Sequence, residues 1–113
     1  MNFWLRIKPV SANAYYQAVR GRVIISEAGR NQKEYIHNFL RSNNAIKIEG
    51  NIELSVVCFY KDNRTRDIDN VLKPLIDCLK DVCFGDDSLI QKITIEKKKH
   101  LFDCVYIQIN SHF

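Results

Sequence analysis

Ile52, Leu54, Val56 and Cys58 alternate with Glu53, Ser55 and Val57 in a run that leads into Tyr60. Side chains of a strand point to opposite faces at every second residue, so this period demands a strand with one face in a core. A charged loop, Lys61 to Arg66, follows. The period then changes: Val71, Leu72, Leu75, Ile76, Leu79 and Val82 recur at helical spacing, from a start near Asp69 to a stop at Gly85. Pro74 falls in the first turn or just beyond it, where the missing N–H costs little. A half-buried strand followed by an amphipathic helix commits the chain to packing a sheet against helices.

The flanking segments extend that plan. Phe3, Leu5 and Ile7 alternate in a strand over Phe3–Lys8, stopped by Pro9. Ser11 to Arg22 is a polar, aromatic-bearing connection, and Val23-Ile24-Ile25 is a short apolar piece. Ser26 caps a helix that runs to about Ser42, with Tyr35, Ile36, Phe39 and Leu40 on its apolar face. Ile90–Lys98 and Phe102–Ile109 alternate on either side of Lys99-His100-Leu101, which predicts a hairpin. The order is strand, helix, strand, helix, strand, strand. It predicts one α+β domain over residues 1–113, a mixed sheet packed with two main helices.

Bulk properties narrow the function classes. No apolar run reaches membrane-spanning length and the first ten residues lack a signal-peptide core, so a cytoplasmic protein is expected. Four cysteines without a C-x-x-C pair read as small buried apolar residues rather than disulfides or zinc ligands. The net charge is +4, unevenly spread. Residues 1–50 hold eight Lys and Arg against three Glu, whereas residues 51–113 hold nine against ten acids. A basic half attracts polyanions by releasing their counterions, which makes nucleic acid a plausible partner without establishing it.

Within this basic chain, seven of the thirteen acids fall between Asp62 and Asp87. Asp67 and Asp69 flank Ile68, and in extended geometry residues two apart face the same way. Converging carboxylates repel unless a cation neutralises them, and an oxygen-rich site suits Mg²⁺ or Mn²⁺. Lys73, one helical turn after Asp69, is placed to hold a phosphate, and Asn70 to add a neutral ligand. Each residue taken singly has a plainer reading: Asp69 as a helix cap, Lys73 as the partner of Asp77, Asp86-Asp87 as a turn. A helix of roughly 14 residues spans about 20 Å, so helix geometry alone does not bring Asp87 to Asp67. The chain folds back after Gly85, or a second subunit supplies the third carboxylate.

The whole string RDIDNVLKPLIDCLKDVCFGDDSLI resembles the RusA-type Holliday-junction resolvases, with their R-D-x-D-N-x-x-K element, apolar helix and D-D pair in order. More weakly, KPVSANAYYQAVRGRVIISEAG resembles the family's N-terminal segment, with Val10 where a second proline is common. The resemblance implies metal-binding catalytic carboxylates at Asp67, Asp69 and Asp87 and an essential basic residue at Lys73, with supporting roles for Asn70, Asp77 and Asp86. It further implies a Mg²⁺-dependent homodimer acting on branched DNA in recombination and repair, with no nucleotide cofactor. Paired hydrolytic nicks across a four-way junction would leave 5′-phosphates. Asn13, Arg20, Arg22, Arg64 and Arg66 are the expected DNA contacts. The alternative is a catalytically inactive junction-binding protein of the same fold.

Overall fold

The computed structural model describes residues 1–113, and its main sheet is built around the strand that the alternation marks. β4 (Ile52–Tyr60) is an inner strand of a four-stranded sheet in the order β1 (Asn2–Leu5), β6 (Cys104–Ser111), β4, β5 (Ile90–Lys99). Ile52, Leu54, Val56, Cys58 and Tyr60 are buried, and the intervening residues are half-buried on the opposite face. The buried row packs with Ile36 and Leu40 of α2 (Glu27–Ser42) and Leu75 and Leu79 of α3 (Leu72–Leu79) in one core. Ser26 caps α2 as expected, its hydroxyl accepting from the Gly29 N–H at 3.1 Å. All four cysteines are free and buried. No helix is long and apolar enough to cross a membrane.

The predicted hairpin between the last two strands does not form, because β4 lies between them. β6 runs antiparallel to both β1 and β4, whereas β5 runs parallel to β4. Parallel neighbours need a crossover, and α3 supplies it. Composition explains the order. Val105, Ile107 and Ile109 stand opposite Cys58, Val56 and Leu54 and complete a buried layer. β5 carries Lys92, Lys97, Lys98 and Lys99 and is exposed at most positions, which suits an edge strand.

The structure differs from the expected elements in three further places. The first strand ends at Leu5 rather than Lys8. The second helix is α-helical only over Leu72–Leu79, preceded by a 3₁₀ segment, Ile68–Val71. Val82, Cys83 and Phe84 are consecutive apolar residues that no single helix face can bury together. The chain instead turns at Asp81, whose φ is 70°, and Cys83 and Phe84 enter the core fully. The segment after Pro9 holds more structure than expected: a short helix α1 (Ala12–Tyr15), then a two-stranded sheet of β2 (Tyr16–Val19) and β3 (Arg22–Ile25). Its turn, Arg20-Gly21, has φ of 51° and 76°, the pair of positive values that a two-residue hairpin turn requires.

Candidate active site

The loop after β4 is held by Asp62. Its carboxylate accepts from Arg66 at 2.7 and 2.8 Å, from Lys8 Nζ at 3.0 Å and from the Arg64 N–H at 3.0 Å. Hydrogen bonds from Arg66 above all hold the Asp62 carboxyl far below the usual range. Arg66 also lies over the Tyr60 ring, 4.1 Å from its centre. Lys97 donates to the Arg66 carbonyl and Lys99 to the Lys61 carbonyl, which ties the loop to β5. The result is a rigid lead-in that delivers Asp67 in an extended conformation at the head of the 3₁₀ segment.

A 3₁₀ segment repeats every three residues, so Asp67 and Asn70 share a side. Both line a cavity of about 390 Å³ with Pro9, Ser11, Thr65, Arg66 and Val71. Asp69 does not line it. The onset of 3₁₀ winding at Ile68 breaks the extended geometry that would have pointed Asp67 and Asp69 the same way. Asp69 is nonetheless exposed and at most about 7 Å along the chain from Asp67. Lys73 turns toward Asp77, 3.4 Å away, and Asp77 also accepts from the Tyr16 hydroxyl. Burial and this bond push the Tyr16 phenol well above its ordinary value.

Asp86 accepts from the Ser88 N–H at 3.2 Å and from its hydroxyl, and lies 3.5 Å from Lys80. Asp87 opens a short 3₁₀ turn, Asp87–Leu89, immediately before β5. Because β4 and β5 are parallel, Asp67 follows the exit end of one strand and Asp87 precedes the entry end of the other. β5 is ten residues long, a span of about 30 Å. Within one chain no three His, Cys, Asp or Glu side chains stand close enough to share a metal ion. Asp87 therefore does not join Asp67 and Asp69 in the single chain.

Among the seven acids of this region, pairing separates two kinds. Asp62, Asp77 and Asp86 are engaged by cations or hydroxyls. The carboxylates of Asp67, Asp69, Asp81 and Asp87 have no ion-pair partner, and of these Asp81 sits at the left-handed turn that ends α3. Beside Asp67 opens a second cavity of about 220 Å³, lined by Tyr60, Asp62, Asn63, Arg64, Arg66 and Lys97–Lys99. Asp62 is its one acid, and that charge is spent on Arg66 and Lys8. The arrangement is a free carboxylate, Asp67, whose neighbour Arg66 lines a cationic cleft, with a second exposed carboxylate, Asp69, two residues along the chain: hard oxygen donors near a place for a phosphate backbone.

The model of the endodeoxyribonuclease RusA family matches residues 6–110 of the chain. The chain belongs to the RusA family. A crossover junction endodeoxyribonuclease of Enterobacteria phage HK97 is 29% identical over 80 residues, which cover 70% of this chain and 67% of that protein. A crossover junction endodeoxyribonuclease of Enterobacteria phage 82 is 29% identical over 91 residues, 79% of this chain and 76% of the relative.

The expected DNA contacts of this RusA-family chain are spread widely. Arg64 lines the cationic cleft, and Arg66 lines both cavities while bound to Asp62. Arg20 and Arg22 are exposed at the tip of the β2–β3 hairpin, and Asn13 is exposed on α1. Several residues of the site carried no signal in the spacing. Pro9 and Ser11 reach the Asp67 cavity only through the tertiary fold. Tyr16 holds Asp77 from 61 positions away. Gln32 was visible in principle, since it continues the Ile36–Leu40 face of α2. It is buried there, and its carbonyl oxygen accepts from the Val10 N–H at 2.8 Å, fixing the strand-to-helix segment.

Proposed function

We propose that this protein is a structure-selective endodeoxyribonuclease that resolves four-way DNA junctions by paired, metal-dependent hydrolytic nicks leaving 5′-phosphates. RusA-family membership supports the reaction class. The observation that carries the reading is the unpartnered carboxylate of Asp67 next to the cationic cleft, with that of Asp69 exposed two residues on. Oxygen donors of this kind fit Mg²⁺, or Mn²⁺ in its place, and would hold it from Asp67 and Asp69 with Asn70 close by. When bound, such an ion supplies charge neutralisation and activation of the attacking water at a scissile phosphate. The chain's own groups do the rest. Lys97, Lys98 and Arg64 seat the backbone, the Asp62–Arg66 pair fixes the loop, and Lys73 lies one turn from Asp69 with its side chain 68% exposed.

The third carboxylate in this reading comes from a homodimer. β5 is an open edge, and Ile93 on it and Ile68 of the 3₁₀ segment before α3 are each 41% exposed. Pairing β5 antiparallel with its copy about Thr94 sets Ile93 against Ile95 and Lys92 against Glu96, twice over. Shifting that register by one sets Ile93 against Glu96 and Lys92 against Lys97, so charge and apolar matching favour the first. In it, the entry end of one β5 meets the exit end of the other. Asp87 of the partner subunit is thereby carried toward Asp67 and Asp69.

The test is cleavage of a fixed four-way junction in Mg²⁺, in chelator, and by Asp69→Asn. The reading expects paired nicks that need the metal and fall by about a hundredfold or more in the variant. The lack of a complete acidic cluster within one chain favours a second reading, a junction-binding protein without catalysis. Tight junction binding in chelator with no nicks in either metal would establish that one instead.

A further inference from the structure

The sheet face turned away from the helices carries a connected group of aromatic rings. Trp4 lies 4.7 Å from Tyr106 and 5.6 Å from Phe59 between ring centres, Phe59 lies 5.2 Å from His100, and His100 lies 4.7 Å from Phe102. At the β1 edge this group opens into a cavity of about 440 Å³ whose walls include Trp4, Arg6, Tyr35, His100 and Phe102. Trp4 is 55% exposed and Phe102 39%. Large rings left this open in a small domain mark a binding surface. The core does not need them, since they lie on the face opposite the buried row of β4.

Three features of the cavity point to one kind of occupant. The walls are flat and aromatic, which suits a planar ring. The one charged wall residue is a cation: Arg6 lies 4.1 Å over the Phe102 ring and has no acidic partner. Asp103, next to Phe102 in the chain, accepts instead from the Lys61 N–H at 2.8 Å. Finally, Arg6 lines this cavity and Pro9 lines the Asp67 cavity. The three intervening steps of chain span at most about 10 Å. Lys8 stands between them, bound to Asp62.

We propose that the Trp4–Phe102 cavity takes an unpaired nucleobase from the DNA strand whose backbone runs through the Asp67 site. Stacking between aromatic side chains is tolerant of base identity, because every base has a π-face. The Arg6 guanidinium then meets the phosphate of the same nucleotide. A site of this kind favours branch points, where bases are unstacked, over continuous duplex. The proposal rests on the DNA-cleaving reading for its location, but its own test does not need cleavage.

Trp4 is the chain's one tryptophan, so protein fluorescence reports the cavity directly. Wild-type protein in chelator is titrated with oligothymidylate and with an abasic oligomer of equal length. The proposal expects saturable quenching by oligothymidylate and little by the abasic chain. Phe102→Leu, judged folded by circular dichroism, weakens oligothymidylate binding by about tenfold and leaves the abasic oligomer unaffected. Equal quenching by the two oligomers, or none by either, overturns it. So does a Phe102→Leu protein that binds DNA normally but sediments as a smaller species, which would make this face a protein interface. Junction cleavage without base-dependent quenching removes the cavity's role alone. Quenching without cleavage removes the nuclease reading and keeps the cavity.

Discussion

The two ends of the sheet each set a free aspartate beside a bound one, but only one end surrounds the pair with cations. At the exit end of β4, Asp62 is saturated by Arg66, Lys8 and a backbone N–H, and Asp67 beyond it is free. At the entry end of β5, Asp86 is bound by Ser88 and Lys80, and Asp87 beside it is free. The bound acid at each end shapes its loop. The free one is left exposed, with its charge uncompensated. The first end also has the cationic cleft and the Asp67–Asn70 cavity, and the second has neither. Each end thus reads as part of a site, and the antiparallel β5 seam is what would bring the parts together.

Removing a free acid costs the most activity. Asp67→Asn, Asp69→Asn and Asp87→Asn each lower junction cleavage by about a hundredfold or more. Asp86→Asn stays within about tenfold of wild type. None of the three free-acid variants lowers the melting temperature, because no partner is lost. A Tm drop in Asp69→Asn would mean that its carboxylate holds a structural contact.

The seam comes next. Lys92→Glu places like charges opposite each other twice and weakens dimer formation by about tenfold in sedimentation equilibrium. Adding Glu96→Lys in the same chain restores it. If the double variant is as weak as the single one, β5 is not the seam.

Smaller still is the effect of Lys97→Met, which removes a cation from the cleft and a tie to the Arg66 carbonyl. Junction affinity falls by a few-fold at low salt, and the slope of log affinity against log salt decreases by about one. An unchanged slope would take Lys97 out of the backbone contact.

The least effect is on stability against pH. The folded-state pKa of Asp62 is depressed, so its bonds stabilise the fold above the ordinary aspartate value of 3.8 and are lost as pH falls below it. Wild type then melts higher than Asp62→Asn by a constant margin at neutral pH. That margin shrinks as pH falls from about 4, measured by thermal melts across acid buffers. A margin that does not shrink would show that the stabilisation is not ionic.

Much of this was legible in residues taken alone. Alternation in β4 and the Ser26 cap of α2 depend on local periods and local hydrogen bonds, and both appear as read. Family membership was legible in the long motif from Arg66 to Ile90. The sheet order was not, because Ile90–Lys99 and Cys104–Ser111 both alternate, and only competition for the two edges of β4 decides between them. The helix stop at Leu79 was hidden in the same way: Cys83 and Phe84 gain a buried environment that no local rule foresees. The free and bound aspartates look alike in sequence. What separates Asp62 from Asp67 is Lys8, which lies 54 positions from Asp62, together with the fold that lays Arg66 across Tyr60.

The most direct measurement mixes two inactive proteins. Asp69→Asn and Asp87→Asn subunits are combined, allowed to exchange, and assayed on a four-way junction in Mg²⁺. If Asp87 completes the site of its partner, each mixed dimer holds one intact site and one site with both lesions. Activity then returns as single nicks on one strand per junction. If all three aspartates served within one chain, no mixed dimer would have an intact site and the mixture would stay as inactive as its parts.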